Sequence, residues 1–281
     1  MERRPSGLRF FMEWTIIAGY AGALIMGITL GLLGAGGSIL TVPVLYYLFG
    51  VDAVLSTAYS LFIVGFTALA GAVPNMRKGL VHYQTAILFS IPSLIAVYLT
   101  RAFLVPAIPD TVMTLGDWVL TKEMAILGFF AVIMVFAAIS MLRRSHLEDP
   151  SSDSIGKRNP APILLEGLVV GTLTGLVGAG GGFLIIPALV IFGKLPMKLA
   201  IGTSLLIIAI KSIFGFFGDV QSGQEIDWSF LLLFTGITIV GILIGTRWTT
   251  FVEAGKLKKA FGWFVLLMGV YIIARELFLQ A

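Results

Sequence analysis

No cysteine occurs anywhere in the 281 residues, and histidine occurs only twice. Disulfides and thiolate metal sites are thereby excluded, and the redox compartment is left undetermined. Charge is scarce as well. Asp, Glu, Lys and Arg make up 12% of the chain, about half the ~25% of a soluble domain. Water is therefore not its main solvent. No His or Glu set has metal-ligand spacing, and no Ser stands beside a candidate His base, since His82 falls at a segment boundary and His146 in a polar stretch. Without a catalytic constellation the chain reads as a non-enzyme with no cofactor and no metal site.

What is there is apolar. Hydrophobic residues make up 58% of the chain, and mean hydropathy is +0.99. Apolar stretches of ~20 residues recur, each long enough to cross a ~30 Å hydrocarbon core. This predicts a multi-pass membrane protein whose surroundings are lipid. The net charge of +4 and pI near 9.4 then reflect basic loops beside headgroups. Lys and Arg are scattered between apolar spans, which argues against a nucleic-acid partner. A homo-oligomer is left open. The N-terminus "MERRPSGLRFFMEWTIIAGYAGALIMGITLGLL" has a basic start and a long apolar run without a cleavage site, so it reads as an uncleaved first span.

The apolar segments fall into two sets of five. The first set is Trp14–Leu33, Ser38–Phe49, Val54–Val73, Tyr83–Leu104 and Glu123–Leu142. The second is Pro162–Val177, Gly182–Phe192, Lys198–Phe217, Trp228–Trp248 and Leu257–Leu279. Between them runs "RRSHLEDPSSDSIGKRNPAP", polar and Pro-containing, a linker by composition. The expected organisation is a first membrane repeat over 1–142, a linker over 143–161 and a second repeat over 162–281.

The two sets match in sequence. "GLLGAGGSILTVPVL" (31–45) aligns with "GLVGAGGGFLIIPAL" (175–189) at an offset of 144, and "AYSL" (58–61) aligns with "GTSL" (202–205) at the same offset. Gly71 falls on Gly215 and Gly79 on Gly223. After one inserted residue "HY" (82–83) falls on "DW" (227–228), and "TR" (100–101) later falls on "TR" (246–247). A register held over about 75 residues indicates internal duplication, and in membranes this points to a transporter fold. The second segment of each half has only about 12 residues, or ~18 Å as a helix, too short to span alone. The predicted fold class is an all-α integral membrane protein of two repeats, each of about five helical segments with the second short or broken. Five crossings per half would invert the second repeat, and four would keep the two parallel. Arg77/Lys78, Arg143/Arg144, Lys157/Arg158 and Lys256/Lys258/Lys259 share one side in the five-crossing arrangement, with Arg3, Arg4 and Arg9 opposite. Positive charge therefore decides poorly, and inverted repeats are the expectation adopted.

GAGG is a backbone break. Glycine tolerates the dihedrals a break needs and lets a ligand approach. Broken backbone at membrane depth survives only where protein buries it or water reaches it. A short helix starting at Ser38 or Gly182 would leave about four N–H groups unpaired at its positive end, which suits an anion. Candidate anion-binding residues are Gly34, Gly36, Gly37, Ser38 and Thr41 in the first string, and Gly178, Gly180, Gly181 and Gly182 in the second. Pro43 and Pro187 are expected to kink these helices. The bland alternative is close helix packing, the expected role of Gly27, Gly31, Gly167, Gly171 and Gly175 at four-residue spacing. A phosphate-binding loop is excluded, because no Gly-Lys-Ser/Thr ends the string.

Lys211 lies deep in an apolar segment, where a charge costs at least ~2.5–3.5 kcal/mol and is functional by default. It either meets an anionic substrate or snorkels to the interface. The matching position is Thr67. Ser60, Thr203 and Ser204 either donate to substrate or bond back to their own helix. Asp52 reads as a helix cap. His82, Tyr83, Asp227 and Trp228 stand at segment starts as interface anchors, and Arg101 and Arg247 at segment ends as headgroup markers.

The paired strings, each followed by "AYSL" or "GTSL" and then by a "KGLVHY" or "SGQEIDW" turn, resemble the TauE/SafE sulfite exporter family over roughly residues 14–279. The resemblance implies transport of small sulfur-containing anions, sulfite or sulfonates, out of a prokaryotic cell across its plasma membrane. Lys211 departs from the pattern, since relatives more often carry a small or amide side chain there. The function expected is a transporter of a small oxyanion held at paired helix N-termini. An anion channel and a membrane assembly or sensor protein without flux are the alternatives.

Overall fold

The computed structural model describes residues 6–34, 36–115, 118–143, 161–178, 180–191, 193, 195–221, 223, 225–248 and 254–275. In chain order these form α1 (Ser6–Leu33), a 3-10 turn (Gly36–Leu40), α2 (Thr41–Phe49), α3 (Ala53–Arg77) and α4 (Tyr83–Leu99). Helix α4 continues through a π-helical turn (Thr100–Leu104) into α5 (Val105–Ala107). A hairpin of β1 (Thr111–Leu115) and β2 (Trp118–Thr121) precedes α6 (Lys122–Arg143). Then come α7 (Ala161–Val177), α8 (Gly182–Ile191), α9 (Met197–Gln221), α10 (Trp228–Trp248) and α11 (Ala254–Ala274). The expected linker falls almost wholly at 144–160, outside the described residues.

Among the described residues, five helical stretches are long and apolar enough to cross a membrane: Ile16–Leu33, Ala53–Arg77, Tyr83–Ala107, Lys198–Gln221 and Trp228–Trp248. One face of α4 exposes Ile87, Ile91, Ile95 and Leu99, each at least half accessible. Such a four-residue apolar stripe on an outer face is stable against lipid, not water. Capping chemistry sets the helix starts. Asp52 accepts from the N–H groups of Val54 and Leu55 at 2.8 and 3.1 Å, as expected of a cap. His82 Nδ1 accepts from Thr85 N–H, and Asp227 from Phe230 N–H, so these two residues cap α4 and α10. Tyr83 and Trp228 beside them are about half exposed.

Two expectations are corrected. The chain is not purely α, because β1 and β2 pair antiparallel. Its signal was a Gly116–Asp117 pair between β-favouring residues, too short to register as an apolar segment. The first short helix does not begin at Ser38: the tighter 3-10 geometry runs first, and α2 opens at Thr41. Pro43 is therefore the third residue of α2, where no intrahelical partner awaits its missing N–H. Helix α8 runs on past Pro187, its sixth residue.

Packing follows glycine. Helix α1 lies on α10, α4 on α7, α3 on α9 and α6 on α11, with further contacts of α3 to α10 and α4 to α9. A Cβ at Gly27 would stand 2.2 Å from Thr238 O, at Gly31 2.6 Å from Ile242 O, at Gly167 2.6 Å from Phe89 O and at Gly171 2.5 Å from Ser93 O. At Gly175 it would meet Thr100 Cβ at 2.7 Å. These five glycines are packing faces, as their spacing predicts.

Candidate functional site

Each glycine break turns the chain with a left-handed residue. Gly34 (φ +72°) donates its N–H to Leu30 O, and Gly178 (φ +73°) donates to Thr174 O, both at 2.8 Å. Neither position tolerates a side chain: a Cβ at Gly34 would stand 2.5 Å from Ile201 Cγ2, and one at Gly178 2.4 Å from Thr57 O. Gly180 (φ +64°) and Gly181 (φ +62°), just before α8, are left-handed as well. The two breaks then converge. Helix α8 contacts the 3-10 turn Gly36–Leu40 of the first break, and a Cβ at Gly180 would touch Val64 Cγ1 at 2.5 Å. Val64 in turn lines a small cavity with Gly37, Ser38, Thr41, Thr67 and Thr238. At about 10 Å³ it has room for one water and nothing larger.

Lys211 is the charged group of the second break. It is fully buried, and Nζ donates to Thr174 Oγ1 at 2.9 Å. A Cβ at Gly181 would lie 2.8 Å from that nitrogen, so the ammonium packs directly against the break. Snorkelling is excluded by the burial. No carboxylate among the described residues pairs with it. At the first break the matching Thr67 has no charge to offer, and its hydroxyl is 2.6 Å from that of Thr238.

The remaining candidates divide. Gly36, Gly37 and Ser38 lie in the 3-10 turn, and Gly182 opens α8. Thr41 donates to Ser38 O at 3.1 Å within its own turn. Ser204 donates to Ile201 O at 2.8 Å and reaches Gly34 O at 3.3 Å, which ties α9 to the first break. Ser60 is fully buried with no partner for Oγ. Thr203 neither bonds to its own helix nor sits at a break: its Oγ1 accepts the N–H of His82 at 2.9 Å.

Arg101 does not face the headgroups as expected: it is 0% exposed, with Nη1 donating to Thr57 Oγ1 at 2.8 Å and to Asp219 Oδ1 at 3.3 Å. Asp219 escaped the sequence reading because hydropathy ended its segment at Phe217, whereas α9 runs to Gln221. Thr57, Thr174 and Thr238 were missed too, because a lone threonine in an apolar run carries no pattern. Arg247 is exposed beside a cavity of about 400 Å³ that Pro74, Lys78, Leu243 and Thr246 also line.

A helical bundle with five membrane-length apolar helices and glycine-broken segments meeting in its interior defines a multi-pass membrane protein. The model of the family described as "Sulfite exporter TauE/SafE" matches residues 19–272, and the chain belongs to that family. A probable membrane transporter protein of Xylella fastidiosa is 28% identical over 90% of this chain and 92% of its own length. Another from Methanocaldococcus jannaschii is 30% identical over 75% and 73%, and one from Bacillus subtilis is 25% identical over 74% and 79%. No solved structure matches the chain significantly.

Proposed function

We propose that this transporter exports a small sulfur-containing oxyanion, sulfite or a sulfonate, across the prokaryotic cell membrane, held between the two glycine breaks. The carrying observation is Lys211, an ammonium buried completely at the second break against one neutral hydroxyl. Its burial costs several kcal/mol unless an opposite charge arrives. An anion supplies that charge, and the N–H groups around Gly36–Ser38 and Gly180–Gly182 supply donors with the helix dipole behind them. Ser60 Oγ adds an uncommitted hydroxyl. Export needs no coupling ion, since a negative-inside potential favours it by ~2.3 kcal/mol per charge at 100 mV. The family's transport role and the absence of a catalytic constellation in the sequence support a carrier over an enzyme.

We further read the two halves as inverted repeats. The most extensive interhelix contacts are kept when the halves are exchanged: α1–α10 becomes α7–α4, α3–α10 becomes α9–α4, and α3–α9 and α6–α11 map onto themselves. Hydrogen bonds follow the same exchange. Tyr59 Oη accepts Asp227 N–H at 2.6 Å, and the matching Thr203 accepts the matching His82 N–H at 2.9 Å.

Purified protein in proteoliposomes tests the site. Wild type is expected to carry labelled sulfite saturably and with counterflow. Lys211→Ala, Gly37→Leu and Gly181→Leu are each expected to abolish it. Flux unchanged in all three removes the site; non-saturating current points to a channel; no flux in wild type points to an assembly or sensor protein.

A further inference from the structure

We propose that Arg101 is a second oxyanion contact, taking two oxygens of the anion on its Nε/Nη2 edge at the end of the path that is sealed in this structure. The inference rests on the anion-transport reading and goes beyond the glycine breaks. Arg101 commits a single nitrogen, Nη1, to both Thr57 and Asp219. Nε and Nη2 have no partner, although the side chain is 0% exposed. Those two N–H groups form the guanidinium edge that matches an oxyanion bidentately. Buried donors of a charged group are almost always paired, because leaving them empty costs their full desolvation. A purely structural ion pair would turn this edge to its carboxylate.

Position supports the same role. Arg101 lies in a π-helical turn, a local geometry frequent at functional sites. One side chain connects it to the second glycine break: Thr57 accepts from Arg101, and a Cβ at Gly178 would stand 2.5 Å from Thr57 Cβ. Ser60 lies one turn further along the same face of α3, buried and uncommitted.

The other half shows what this region looks like when open. Thr246 and Arg247 match Thr100 and Arg101 in sequence, and they border the cavity of about 400 Å³ with Lys78. On the Arg101 side that space is filled, since a Cβ at Gly218 would lie 2.9 Å from Arg101 Cβ. Exchange of the two conformations would seal the Arg247 end and uncover Arg101. The anion leaving Lys211 would then dock on the free Nε/Nη2 edge and compete with Asp219 for the same positive charge.

Initial rates of labelled-sulfite uptake into proteoliposomes, at matched protein content, test this with two variants. Arg101→Lys keeps a cation for Asp219 but has no bidentate edge; KM for sulfite is expected to rise about tenfold or more. Asp219→Asn keeps Arg101 and removes the competing carboxylate; KM is expected to fall by about threefold or more. A structural ion pair would lower yield and maximal rate in both variants without moving KM in opposite directions. Either variant is decisive alone should the other fail to fold, and KM within about twofold of wild type in a folded variant overturns the proposal. A wild type inert to sulfite, sulfate and methanesulfonate alike overturns the transport reading and this inference with it, whereas an active wild type with unmoved variants overturns only the arginine contact.

Discussion

Lys211 and Arg101 are the two cations that the described helices bury completely, and each donates to a threonine hydroxyl. Their difference lies in the second partner, because Arg101 has Asp219 and Lys211 has none among the described residues. Replacing Lys211 by Met removes a buried charge with similar volume. Thermal unfolding in detergent should show a change from neutral to ~1–4 kcal/mol stabilising, together with loss of the sulfite-dependent upward shift expected of wild type. A destabilised K211M that still shifts with sulfite would assign Lys211 to structure. Gly181→Ala combines a positive φ with a Cβ 1.9 Å from Thr174 Cγ2, and is expected to cost about 1–3 kcal/mol or more. Gly236→Ala meets nothing within 4 Å and should gain about 0.5–1 kcal/mol. Asp52, outside the spans, has its carboxyl held below the ordinary 3.8. Burial raises it, but hydrogen bonds from the Glu123 side chain and the Leu55, Val54 and Ala53 N–H groups more than offset this. A depressed folded value means the stabilisation is complete above pH 3.8 and lost as pH falls below it. Asp52→Ala should cost about 1 kcal/mol near neutral pH, and the gap to wild type should close in acid. A gap independent of pH would exclude the carboxylate as its source.

At the scale of elements, apolar periodicity and glycine placement were enough to locate the helices. The segment Trp228–Trp248 coincides with α10, and Glu123–Leu142 differs from α6 by one residue at each end. Errors arose where local chemistry overrode hydropathy. The 3-10 turn replaced the first turn of a helix at Gly36–Leu40, and the hairpin β1–β2 was too short and too polar at its centre to be seen as a segment. The glycine faces carry an element-scale prediction. A Cβ at Gly241 would lie 2.5 Å from Leu24 O, and at Gly245 2.2 Å from Ile28 O. Gly241→Val must therefore push α10 from α1, at a cost of at least ~1–3 kcal/mol. The melting temperature of purified protein should fall; an unchanged value would mean these helices do not pack through glycine.

At the scale of the molecule, the proposed exchange of halves is broken at its ends. The Arg247 end holds a cavity, and the Arg101 end is filled. Because the chain has no native cysteine, single cysteines report accessibility without background. Thr246→Cys, at the cavity, should react with a water-soluble thiol reagent, while Thr100→Cys, at the matching buried position, should not. Equal reactivity in solubilised protein would refute the one-end-open arrangement.

By itself the sequence determined that the chain lives in lipid, where its helices run, where they break and which glycines face neighbours. Each of these follows from local chemistry: hydropathy over a window, backbone freedom at Gly, a cap at Asp52. Only the tertiary structure decided what fills the interior. Lys211 meets Thr174 across 37 positions and Arg101 meets Asp219 across 118, and no local pattern encodes either pair. A lone charge in an apolar run looks the same at the interface as in the core. Its burial is set by which other helix arrives beside it, and that is a property of packing.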